Sequence, residues 1–136
     1  MAPATASVYA LIRLLTCGVW VFAGLYKAFH YEETVADMRQ HRLPLASYLL
    51  ALVITMELAG SVLLISNTQV WVVALVWIAF TVLASMIYHW PIQVNGSIVF
   101  TQLVQFSKNL SIIGGLLALL LLDPGKPAWL RALVTG

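Results

Sequence analysis

Five polar side chains of this 136-residue chain stand in stretches otherwise built of hydrocarbon: Arg13, Glu57, His89, Lys108 and Asn109. A carboxylate with cations and an amide near it can hydrogen-bond a quinone headgroup and exchange a proton with it, or hold a small oxyanion. Lys27 and His30 bring similar chemistry closer to a helix end and are read as interfacial. Cations outnumber the anion, since Glu57 stands against Arg13, Lys27 and Lys108. Lys27 can reach the interface along its own methylenes and needs no partner there. Glu57 is therefore expected to neutralise either Arg13 or Lys108. The surplus charge calls for a neutral lysine, a lipid headgroup, or an anionic or carbonyl-bearing ligand.

Spacing says how these groups are carried. Arg13, Cys17, Trp20, Gly24 and Lys27 make one stripe at helical intervals within Ser7–Phe29. That stretch would be about 34 Å long, enough to cross a bilayer core of about 30 Å. A charge facing lipid costs at least about 2.5 kcal/mol at the centre, so the stripe is predicted to face inward. Glu57, Gly60 and Ser61 share a face further on, as do Thr81, Ser85 and His89, and then Lys108, Ser111 and Gly115 with Asn109 alongside. Alternating spans would gather Lys27, His30, His89, Lys108 and Asn109 toward one side, with Glu57 deeper and Arg13 deeper still.

The chain is 62% hydrophobic and 9% charged. A soluble domain has about 25% charged residues, so the bilayer is the expected solvent. The fold is read as all-α, a single domain forming a four-span membrane bundle. Its helices are expected at approximately 7–29, 45–65, 70–90 and 102–122. A short interfacial helix is predicted between the first two, where Tyr31, Val35 and Met38 share a side. Glu32 and Glu33 come early in it and Arg39 and Arg42 late, as the helix dipole favours. Pro44 suits the first turn of the second span, Ser66–Gln69 a tight turn, and Pro91 the end of the third span. Residues 93–97 read as a loop, and Asp123-Pro124-Gly125 terminates the fourth span. Trp71, Trp90 and Trp129 fall near helix ends, where an aromatic belt would lie. Four spans put both termini on one side. Met1–Ser7 holds no basic residue and makes a poor signal peptide, so the first helix is expected to be retained.

Several classes are set aside. A net charge of +2, scattered along the chain, does not suit nucleic acid. A single cysteine, Cys17, excludes an intrachain dithiol relay and reads as inert packing. His89 has no second histidine at haem-ligand spacing, and neither metal nor haem is expected. Asn95-Gly-Ser97 and Asn109-Leu-Ser111 match the glycosylation pattern by chance. The architectural reading of Glu57, as half of a pair that only sets helix register, carries equal weight with the functional one.

These residues also carry a resemblance. Ile12-Arg13-Leu14, Ala23-Gly24-Leu-Tyr-Lys27, Leu43-Pro44, Glu57-Leu-Ala-Gly60, His89, Phe106-Ser-Lys108-Asn109-Leu, Gly114-Gly115-Leu116 and Pro124-Gly125 resemble, in order and spacing, the DoxX family of small four-helix membrane proteins. Many relatives carry a Gly-Leu-X-Thr-Arg turn between the second and third helices. Here the turn is Ile65-Ser-Asn-Thr-Gln69, without the arginine. The resemblance implies a bacterial inner-membrane protein of redox-associated background, since some relatives are linked to thiosulfate:quinone oxidoreduction or to oxidoreductase assemblies. The first functional reading is a small subunit of a membrane redox system, with quinone or a small oxyanion in its polar core. The expected partners are the lipid bilayer, other membrane or redox proteins, and further copies in a homo-oligomer. A non-catalytic assembly subunit and an oligomeric small transporter are the alternatives.

Overall fold

Within hydrocarbon every backbone amide must be paired inside its own segment, and uninterrupted apolar runs therefore take up the helix. The computed structural model describes residues 3–90, 93–94 and 96–135. In chain order they form α1 (Pro3–Phe29), α2 (Tyr31–Gln40), α3 (Ala46–Ile65), α4 (Val70–Tyr88), a minimal hairpin of β1 (Gln93–Val94) and β2 (Ser97–Ile98), α5 (Phe100–Leu122) and α6 (Ala128–Thr135). Helices α1, α3, α4 and α5 are each long and apolar enough to cross a membrane. The protein is an all-α integral membrane protein with a short helix between its first two spans. Large apolar side chains such as Leu15, Phe22 and Leu52 lie exposed along the spans, as lipid-facing positions do.

The chain divides into two compact units, Met1–Thr68 and Gln69–Gly136. In the first, α1 packs along α3, and α2 packs on α3. Leu50, Glu57, Ser61 and Leu64 form the buried stripe of α3, facing Tyr9, Cys17 and Trp20 of α1 and Val35 and Met38 of α2. The α2 stripe is the one its spacing predicts, and the Tyr31 hydroxyl donates to the Ser47 carbonyl at 2.7 Å. In the second unit α4 packs along α5, with Trp77 fully buried. Ala74, Leu120 and Leu130 form a small core under Trp71 and Leu75.

The ends of the elements differ from expectation at four places. Pro44 lies ahead of α3 rather than in its first turn, because Leu45 takes a left-handed φ of 51° that no helix can include. α4 stops at Tyr88, where His89 swings to φ −122°; Pro91 lies outside the described residues. The segment expected as a loop pairs Gln93 with Ile98 and Val94 with Ser97, and Gly96 holds the positive φ of 78° in the turn. Asn95 lies outside the described residues. α6 was not anticipated, its apolar pattern being only eight residues long.

Candidate functional site

The α1 stripe meets α3 along its length. At one end the Arg13 guanidinium donates to the carbonyls of Leu64 (3.1 Å) and Ile65 (3.5 Å), which close α3; the Leu64 carbonyl also accepts from the Asn67 amide at 3.2 Å. Its carbon lies 5.0 Å from the centroid of the Tyr9 ring. One turn on, the buried Cys17 thiol points at the Ser61 carbonyl, 3.5 Å away. Gly24 comes next. A Cβ there would stand 2.9 Å from Leu58 Cδ2 and 3.4 Å from Glu57 Cβ, so glycine lets the two backbones close.

The close approach brings Lys27 to Glu57. The ammonium donates to Oε1 at 2.7 Å and Oε2 at 3.0 Å, and its third bond goes to the Ala23 carbonyl at 3.4 Å. The Glu57 side chain is 2% exposed and that of Lys27 25%. This corrects the expectation for both cations. Glu57 pairs not with Arg13 but with Lys27, which is not left to snorkel alone. Arg13 instead satisfies the carbonyl of Leu64, which lies seven residues along α3 from Glu57, about 10 Å away by helical rise.

His30 follows at the end of α1. Its ring stacks on Tyr26 with centroids 4.2 Å apart, and Nδ1 is 3.0 Å from the Tyr26 carbonyl. The remaining candidates belong to the second unit. Asn109 donates to Ser85 Oγ at 2.9 Å, and Ser85 in turn donates to the Thr81 carbonyl at 2.7 Å. His89 Nδ1 is paired with Gln102 Oε1 at 3.0 Å. Lys108 is exposed, and no ion pair to it is present among the described residues. Asn109, one residue on, takes the position that faces α4.

Two roles were missed in the sequence. Lys27 as the partner of Glu57 was legible in part, since Gly24 stands one turn before it on the same stripe. Asp123 was read only as a terminator. It is buried, with Oδ2 accepting from the Trp71 amide in the first turn of α4 at 3.0 Å and Oδ1 from the Gly125 amide at 2.9 Å. Among the described residues no group of three or more histidine, cysteine or acidic side chains could hold a metal ion.

The family model described as DoxX matches residues 8–90, more than half of the chain. That range holds Arg13, Lys27, Glu57 and His89, while Lys108 and Asn109 fall beyond it. No curated protein and no solved structure matches.

Proposed function

The chain belongs to the DoxX family, and from that premise we propose that it is a small integral subunit of a membrane redox system, receiving a quinone headgroup beside the Lys27–Glu57 pair. The observation carrying this reading is the asymmetry of the pair, a carboxylate 2% exposed behind an ammonium 25% exposed. Reducing a quinone to a quinol takes two electrons and two protons. Lys27 would donate a hydrogen bond to a carbonyl oxygen, and Glu57 behind it would hold and pass a proton. The electrons would come from a partner redox protein in a bacterial inner membrane. A small oxyanion is less well supported, because Lys27 is already neutralised and Arg13 is engaged with carbonyls.

A specific observation favours the assembly reading as well. All three Lys27 donors have acceptors in the protein, which suits a strut between α1 and α3. Titration of the purified chain with a short-chain ubiquinone, followed by tryptophan fluorescence, separates the two. A site should give saturable quenching that weakens roughly tenfold in Glu57→Gln, the loss of one charged hydrogen-bond partner. Linear, unsaturable quenching in both proteins would leave the strut alone.

A further inference from the structure

We propose that the corner where α2 turns into α3 seats the phosphate of an anionic phospholipid. A cleft of about 290 Å³ opens there, lined by Arg39, Leu43, Leu45, Ala46, Ser47 and Tyr48. Three of these residues bring side-chain donors, the Arg39 guanidinium and the Ser47 and Tyr48 hydroxyls, and none is a carboxylate. Among the described residues none of the three donor groups has a protein partner. Most other cations are committed. Arg13 holds α3 carbonyls, Lys27 holds Glu57, Lys126 bonds the Leu121 and Asp123 carbonyls, and Arg131 bonds the Lys126 and Pro124 carbonyls. The nearest acid on α2, Asp37, faces His41 at 3.7 Å, and Arg42 adds a further positive charge at the turn.

The chemistry of the cleft selects its occupant. A guanidinium fork with two hydroxyls offers donors without an anionic acceptor, which fits phosphate oxygens, and the fork matches them two at a time. The rest of the lining, Leu43, Leu45 and Ala46, is apolar, and the cleft opens directly ahead of a membrane span. Headgroups lie at that level of a bilayer. A free phosphate would use the donors and leave the apolar half wet, whereas a glycerophospholipid uses both. The site is separate from the Lys27–Glu57 pair and does not depend on any role for it.

The test is thermal unfolding of the full chain in a neutral detergent, titrated with phosphatidylglycerol, with phosphatidylcholine, or with inorganic phosphate. Phosphatidylglycerol should raise the Tm of the wild type by several degrees more than phosphatidylcholine at equal mole fraction. Arg39→Gln should need about ten times more phosphatidylglycerol for half of that shift. Ser47→Ala/Tyr48→Phe, which keeps the charge and removes both hydroxyls, should need an intermediate amount and guards against a misfolded arginine variant. Arg131→Gln should respond as the wild type does. Equal responses to the two lipids, or a full phosphatidylglycerol response in Arg39→Gln, would overturn the site. Inorganic phosphate alone reproducing the whole shift would overturn the lipid as its occupant.

Discussion

Lys27 grips Glu57 with both carboxylate oxygens in reach, 2.7 and 3.0 Å from one ammonium, across the α1–α3 interface. The pair sits where Gly24 has removed the side chain that would otherwise hold the helices apart. Backbone approach, ion pairing and access from one side are therefore a single arrangement. A change in any of them should be felt in the others.

Breaking the pair from either side should cost more than removing both partners. Lys27→Met strands a buried carboxylate and is expected to destabilise by about 2–4 kcal/mol, below the upper range for buried pairs because the ammonium keeps some water. Glu57→Gln should cost a similar amount. The double variant Lys27→Met/Glu57→Gln should recover at least half of the summed loss. Lys108→Met, at an exposed position, should stay within about 0.5 kcal/mol. Denaturation in mild detergent measures all four, and strictly additive costs would show that the two charges are uncoupled.

Gly24 offers a steric test of the same interface. Gly24→Ala puts a methyl group 2.9 Å from Leu58 Cδ2, the end of a flexible side chain, and should cost about 1 kcal/mol. Gly24→Leu cannot be absorbed by one rotamer and should cost about 1–3 kcal/mol or more. By forcing α1 from α3 it should also lengthen the ion pair. Combined with Lys27→Met it should then cost less than the sum. Gly18→Ala, where nothing lies within 4 Å of the added carbon, is the control and should be nearly neutral.

The spans and the inward stripe of α1 were legible because hydropathy and helical spacing act within one segment. Arg13, Cys17, Gly24 and Lys27 could be placed on one face without knowing what lay opposite. The partners were not legible. Pairing Lys27 with Glu57 depends on the register between α1 and α3, which the short helix α2 and the turn through Leu45 decide. A cation near a helix end looks free to reach water until the facing helix presents a carboxylate within reach of its stem. Lys108 shows the reverse case. It and Asn109 are adjacent on α5, and only packing against α4 decides that the amide meets Ser85.

Asp123 joins the end of α5 to the start of α4, so its removal should loosen the second unit. The carboxylate accepts from the Trp71 amide, one of the first-turn donors that have no partner within the helix. Asp123→Ala should cost about 1–2 kcal/mol, and Asp123→Asn less, since the amide oxygen can still accept while the charge is gone. Hydrogen exchange should speed up at the start of α4 in Asp123→Ala and stay unchanged in α1. Uniform change across both helices would argue against a local cap.

Arg13 tests whether a guanidinium inside a span can be a structural cap. It donates to the last carbonyls of α3, at 3.1 and 3.5 Å, and lies over Tyr9 at 5.0 Å. A cation at a helix C-terminus also meets the negative end of the dipole, so charge, hydrogen bonds and ring contact act together. Arg13→Lys keeps the charge but loses the planar fork and most of the ring contact, and should cost about 1 kcal/mol. Arg13→Met loses everything and should cost about 2–3 kcal/mol. Tyr9→Leu separates the terms: it should remove about 0.5–2 kcal/mol in the wild type and much less in the Arg13→Met background. If Arg13→Met instead left stability unchanged while weakening ubiquinone quenching, the guanidinium would be serving the ligand rather than the end of α3.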